Sequence, residues 1–150
     1  MRAIFLLAIL VLPVSPLFAE AEAYRREIEL KPLLKTQVDS AGKPIVYPTG
    51  CAEVTAVHVI LPPGAQTGWH KHPVPCFAYI LEGELDVQLA SGETKTLKAG
   101  EAYAESVDVM HNGVNKGDAP VKLVMFAAGT CGQPYAVKPP APAEAKPTEK

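Results

Sequence analysis

Gly64-Ala65-Gln66-Thr67-Gly68-Trp69-His70-Lys71-His72 carries two of the four histidines in the chain, and the reading of this stretch decides the fold. If the segment is extended, side chains two apart share a face. Both imidazoles then project into one space while Lys71 turns away. Neutral imidazole is the commonest metal-binding side chain, but two of them hold a catalytic ion poorly, so a third donor has to come from elsewhere. His111 lies about forty residues further on, beyond several strand-and-turn units, where a closed sheet would bring it opposite the pair. The plainer reading of His70-Lys71-His72 is a polar surface loop.

Outward from this stretch the dominant period is two. Glu53–Leu61 alternates and is rich in β-branched residues, and Pro62-Pro63-Gly64 ends it. Cys76–Leu81 is a short apolar run. Leu85, Val87 and Leu89 alternate with Asp86 and Gln88, the pattern of a half-buried strand. Ser91-Gly92 reads as a hairpin turn into Thr94–Leu97, Ala99-Gly100 marks a corner, and Val121–Ala127 is the last strand. Short strands with turns between them predict a sandwich or a closed barrel. Fifteen prolines and the lack of a sustained 3.6-residue stripe exclude a helical bundle. Tyr24–Leu34 is expected to be extended, because Pro32 limits a helix there.

The spacing of Gly64, His70, His72, Cys76 and Gly83 resembles the first motif of the cupin family, whose order is Gly, His-x-His, Glu, Gly. Cys76 stands where that family has Glu. Gly100, Ser106, Asp108, His111 and Asn115 fall at the five positions of the second cupin motif, patterned Gly, Pro, Gly, His, Asn, and three of the five match. Sixteen residues separate Gly83 from Gly100. The resemblance runs from about Thr55 to Phe126. It implies an all-β, double-stranded β-helix (a jelly-roll-like cupin barrel) holding one divalent transition metal ion (Fe, Cu, Zn, Ni or Mn) through His70, His72 and His111. Asp108 in place of Gly is expected to be harmless, since Asp tolerates left-handed backbone. Ser106 in place of Pro gives up some turn stiffness. Asn115 is expected to tie down a loop through its amide.

Cys76 changes the metal site itself and leaves three outcomes open. Its thiolate could be the fourth ligand, shifting preference toward zinc or copper. It could remain a buried thiol beside an open three-histidine site. It could be oxidised or disulfide-bonded. Glu105 is a candidate substitute carboxylate, with a solvated turn as the alternative. For a small-molecule pocket the candidates are His58, Phe77, Tyr79, Tyr103 and Met125, with Trp69, Met110 and Phe126 beside them. The alternatives are plain core packing for the apolar residues and the solvent face for His58. Lys71 is expected to point to solvent.

Outside the motifs, Met1–Arg2, the apolar run Ala3–Leu12 and the Ala-rich stretch to Ala23 read as a signal peptide over 1–23, with cleavage after Ala19, Ala21 or Ala23. The apolar run is short of the ~20 residues that span a bilayer. Export to the periplasm or medium is therefore expected. Residues 24–52 form an N-terminal extended segment, 53–131 the barrel core, and 132–150 a mobile Pro/Ala-rich tail. The net charge is −2, with no basic run, so nucleic acid is an unsuitable partner. No basic amphipathic helix suggests membrane binding after cleavage. Three cysteines cannot all pair within one chain. A Cys51–Cys131 bridge would tie together the ends of the core, and three reduced thiols are the alternative. Because cupins often dimerise, a homodimer stays open.

Fold does not fix reaction. The leading expectation is a metal-dependent small-molecule enzyme, dioxygenase- or isomerase-like. The alternatives are a non-catalytic metal or small-ligand binder with Cys76 as fourth ligand, and a structural descendant with an empty pocket.

Overall fold

The computed structural model describes residues 28–139. The expected leader over 1–23, its cleavage point and the end of the C-terminal tail lie outside the described residues. Of the expected extended segment 24–34, residues 28–34 are neither helix nor strand.

Seven strands are described: β1 (Ala52–Leu61), β2 (Cys76–Glu82), β3 (Glu84–Leu89), β4 (Thr94–Lys98), β5 (Ala102–Ala104), β6 (His111–Val114) and β7 (Val121–Thr130). Among the described residues there is no helix. The strands form two sheets, ordered β1-β7-β2-β5 and β4-β3-β6, and every strand pair is antiparallel. This is the all-β, double-stranded β-helix architecture read from the sequence.

Alternation decides which side chains the sheets enclose. Val57, Val59 and Leu61 on β1, Cys76, Ala78 and Ile80 on β2, Leu123, Met125 and Ala127 on β7, and Leu85 and Val87 on β3 all belong to one apolar cluster between the sheets. Ile80 and Val121 are fully buried. Truncating such a residue to Ala costs about 2–5 kcal/mol, the lost transfer energy plus the cavity left behind. The intervening β2 residues, Phe77 and Tyr79, take the opposite face.

Corners are fixed locally. Gly83, at φ +80°, turns β2 into β3, and a Cβ there would lie 3.0 Å from the Pro120 carbonyl oxygen and 3.1 Å from Val121. Asn115 is buried, and its Nδ2 donates to the carbonyls of Leu61, Pro62 and Ala119 at 2.9, 3.1 and 2.8 Å. One amide thus fastens the end of β1 to the β6–β7 turn. Among the described residues Asp108 is the non-glycine residue with positive φ, 57°, and a short side chain that bonds locally suits that conformation. Its carboxylate takes the Lys71 ammonium at 2.7 Å, so Lys71 is paired as well as partly exposed. Asp39 accepts from the amides of Ala41, Lys43 and Val107, docking an N-terminal loop beside Ser106, whose hydroxyl meets that of Ser40.

Cys51 and Cys131 are disulfide-bonded, with Cα atoms 5.5 Å apart, directly beyond the Ala52↔Thr130 pair of β1 and β7. Cys76 is a free, buried thiol. The chain stays engaged past the expected core boundary at 131. Lys71 and Val137 exchange backbone hydrogen bonds of 2.9 and 2.8 Å. The tail's composition lacks large apolar residues, but main-chain pairing holds this part in place.

Candidate metal centre

The three predicted ligands arrive on backbone ladders. His70 and His111 are an isolated antiparallel bridge and His72 bridges Val107. Directly opposed residues of an antiparallel pair share a face, and the His70 and His111 ring centroids are 4.4 Å apart. His72 is two positions from His70 on the same face, with its centroid 5.0 Å from each of the other two. One nitrogen from each ring can be chosen so that all three lie within 4.8 Å of one another.

The outer nitrogens fix the tautomers. Nδ1 of His70 meets the Gly68 carbonyl at 2.8 Å, Nδ1 of His72 the Tyr135 carbonyl at 2.6 Å, and Nδ1 of His111 the Val109 carbonyl at 2.9 Å. A carbonyl oxygen only accepts, so each Nδ1 carries the proton and donates. In the neutral ring the lone pair is then on Nε2, the arrangement that orients a metal-binding histidine. Nε2 of His111 is buried with no hydrogen-bond partner.

A carboxylate faces these nitrogens. Glu105, 13% exposed, places Oε2 at 2.9 Å from His72 Nε2 and 3.2 Å from His111 Nε2. Unprotonated Nε2 lone pairs opposite a carboxylate repel, so a cation belongs between them. In the metal-free chain that cation is a proton. Burial alone would lower the His72 pKa, but hydrogen bonds to Cys76 and Glu105 and the Glu105 charge outweigh it and raise it to about 10. Burial would raise Glu105, but the His111 and His72 imidazoles set against its carboxylate and the His72 charge bring it down to about 2. His70 lies below its ordinary value, chiefly through burial. Burial also pushes the Cys76 thiol up. The orphaned Nε2, the three fixed tautomers and the facing carboxylate together fit a divalent transition metal.

The histidines open into a cavity of about 540 Å³ between the sheets. Its walls are largely aliphatic, including Val57, Val59, Val87 and Leu123, and Tyr135, Ala136 and Lys138 border it from the C-terminal segment. Among the pocket candidates, Tyr103 and Met125 line this cavity. His58 belongs to its boundary on β1, with an exposed side chain. Phe77 and Tyr79 do not line it. Phe77 instead borders a separate depression with Leu34, Ile45 and Tyr47. The parity of β2 explains this, since Cys76, Ala78 and Ile80 take the inner face. Trp69 and Phe126 are exposed. Cys76, 1% exposed, packs in the core beside His72 and is not part of the cavity wall. Glu105, for which a solvated turn was the alternative, is enclosed. Its signal was available: it is two positions from inward-facing Tyr103. Nothing in the sequence announces the Tyr135 contact, which uses only main chain.

A family profile described as "Cupin domain" matches residues 57–127. Among solved structures, a cupin domain from Bordetella pertussis Tohama I is 28% identical, with 51% of this chain and 82% of that one covered, at a TM-score of 0.47. A sugar phosphate isomerase from a cupin superfamily, from Silicibacter pomeroyi DSS-3, is 27% identical over 51% of each chain, TM-score 0.46. An oxalate oxidase is 23% identical over 51% of this chain and 42% of its own, TM-score 0.45. The chain thus spans about half or less of the two enzymes it resembles. Among curated proteins no match is found. The profile match covers both histidine motifs, strands β2 to β6 and parts of β1 and β7, and residues 57–127 of the chain are a cupin domain.

Proposed function

We propose that this protein is an exported, metal-dependent enzyme acting on a small molecule, with oxidation of the dioxygenase type or isomerisation as its reaction class. The observation that carries the reading is the convergence of three tautomer-fixed Nε2 atoms at the wall of a partly open, largely aliphatic cavity. Ligand pockets combine an apolar lining with a few convergent polar groups in this way.

His70, His72 and His111 would hold the ion, which would supply Lewis-acid activation of a carbonyl or enolate oxygen, or dioxygen chemistry if it is redox-active. The chain's own residues do the rest. The carbonyls of Gly68, Tyr135 and Val109 keep the three Nε2 lone pairs pointing inward. Val57, Val59, Val87 and Leu123 exclude water from the reacting end and contact the aliphatic part of a substrate. Tyr135 and Lys138 border the cavity from the C-terminal segment, where the Lys138 ammonium favours an anionic or strongly polar substrate group. The two enzymes among the similar structures belong to an oxidase and an isomerase class, which agrees with this range. Export rests on the leader-like residues 1–23.

The rival reading is a non-catalytic binder closed by a Cys76 thiolate. It would require the sulfur to turn out of the core into the cavity.

Purified protein loaded with iron(II), manganese, cobalt, nickel, copper or zinc should take up one equivalent, with His111→Ala losing it. Iron(II)-loaded protein should bind nitric oxide, giving the paramagnetic signal of an ion with an exchangeable position. Failure to bind any of these metals stoichiometrically would remove the enzymatic reading. Metal uptake with no exchangeable position would favour the binder.

A further inference from the structure

We propose that Glu105 is the fourth protein ligand of this centre, supplying from the position just after β5 the carboxylate that the first cupin motif carries on β2. The inference rests on the reading above that the three histidines hold a metal. It concerns a residue that is not one of the five spaced positions of either motif.

The strand register makes the exchange physically simple. Phe77 pairs with Ala104 across β2 and β5, and one step further the Glu105 amide donates to the Cys76 carbonyl at 2.9 Å. Positions 76 and 105 are thus cross-strand neighbours, and such neighbours present their side chains on one face, Cβ atoms ~5 Å apart. A carboxylate lost at one position can be replaced from the other by a side chain of the same length. Cys76 is the small partner that leaves room for it. The outcome is visible in the contacts, since Glu105 lines the cavity and Cys76 does not.

The distances point the same way. One oxygen, Oε2, lies 2.9 Å from His72 Nε2 and 3.2 Å from His111 Nε2. Separations of about 3 Å are what donors sharing an ion with bonds of ~2.0–2.2 Å show. Among the described residues these two imidazoles are the only basic groups that Glu105 meets. A carboxylate this enclosed needs a compensating cation, and with both Nδ1 atoms donating to carbonyls the neutral imidazoles turn their Nε2 lone pairs toward it. A dication bound by three neutral imidazoles and one carboxylate keeps a single net positive charge. That charge favours an anionic or oxygen-donor ligand in the cavity. Three nitrogens and an oxygen, without sulfur, also move preference from copper(I) toward iron(II), manganese, nickel and zinc.

The test uses the full chain loaded with cobalt(II), whose visible spectrum reports coordination and whose affinity is read by chelator competition. Wild type should show no sulfur-to-cobalt charge-transfer band, and Cys76→Ser should bind with unchanged affinity. Glu105→Gln should bind at least about 30-fold more weakly, on the scale of ~10–100-fold seen for groups around a metal, and should alter the ligand-field bands. Glu105→Asp, which keeps the charge and shortens the reach, should fall between them and serves if the Gln variant does not fold. Wild-type affinity and an unchanged spectrum in Glu105→Gln would overturn the assignment. So would a sulfur band in wild type that Cys76→Ser removes. If wild type takes up no cobalt at all, the metal reading fails and this inference with it, a result distinct from tight binding with a silent Glu105.

Discussion

His70 and His111 each donate the backbone amide to the other's carbonyl, at 3.0 and 2.8 Å. Two ligands from opposite ends of the motif region are thereby set against each other by main chain, independently of whether an ion is present. The site is preorganised, and its cost is one buried nitrogen without a hydrogen bond, Nε2 of His111. Replacing that ring removes an unsatisfied polar group along with its packing, while the ladder persists. His111→Ala should therefore abolish metal uptake but lower metal-free stability by only about 1–2 kcal/mol, below the ~3–5 kcal/mol of an ordinary large aromatic truncation. Denaturant unfolding in the presence of chelator measures this. A loss at the top of that range would mean that the ring is a structural element first.

Proton and metal compete for the same point, which sets the pH dependence. His72 titrates at about 10 in the folded metal-free chain against 6.5 ordinarily. Its contribution to stability is complete below 6.5 and lost as the pH rises toward 10. Glu105 titrates at about 2 against 4.5, so its contribution is present above 4.5 and lost as the pH falls through 2. Metal-free protein should therefore be most stable between these limits, roughly pH 4.5–6.5. Binding must expel the His72 proton, so metal affinity should keep rising by about tenfold per pH unit above ~7. Calorimetry in buffers of different ionisation enthalpy would count the released proton. An affinity already level at pH 7.5, roughly one unit above a free imidazole, would contradict the coupling of His72 to Glu105.

The disulfide and the metal centre share one segment. Cys131 is bonded to Cys51 across 80 residues of sequence, and only a few residues later Tyr135 gives its carbonyl to His72 Nδ1 at 2.6 Å. Closing a loop of that length is worth about 4–5 kcal/mol in the chain-entropy account, with ~2–4 kcal/mol the usual yield. Cys51→Ser or reduction should lower stability by that amount. The same change should also weaken metal binding by about 10-fold, the lower end for a group that orients a ligand, because the segment bearing Tyr135 loses its anchor. Thermal melts and metal titrations on reduced and oxidised protein separate the two effects. Unchanged metal affinity after reduction would show that the Lys71–Val137 pairing alone holds the segment.

How much of this is legible in the sequence depends on which groups do the work. The histidines are readable because two share a face by strand parity and the third follows a second spaced motif. The strands with strong alternation, β1, β3 and β7, are readable for the same reason. Strands β5 and β6 are not, being three and four residues long, too short for a period to establish itself. Phe77 and Tyr79 look like pocket residues by type, yet β2 turns Cys76 and Ala78 inward. Glu105 sits just past a short strand and beside a family turn position, so local chemistry suggests a solvated loop. Its parity with Tyr103 and its register with Cys76 show where it points. The Tyr135 carbonyl contact has no side-chain signature at all.

The cavity itself gives the last expectation. Val59 lies on β1 opposite Leu123 of β7, and both line the cavity with the histidines. Neither residue takes part in a polar contact of the site, so enlarging Val59 changes the space without touching the ligands. In a packed interior an added ring forces strain of about 1–3 kcal/mol, but here it enters a volume of about 540 Å³ and strain should stay at or below ~1 kcal/mol. Val59→Phe should keep full metal content and a cobalt spectrum like that of wild type. Binding of an aliphatic carboxylate or comparable oxygen donor to the loaded protein, followed through that spectrum, should weaken by at least about 10-fold, roughly the cost of displacing one or two buried methylenes. Retained ligand affinity alongside a normal Tm would place the small-molecule site elsewhere, and loss of metal would mean that the cavity wall and the centre are one packing unit.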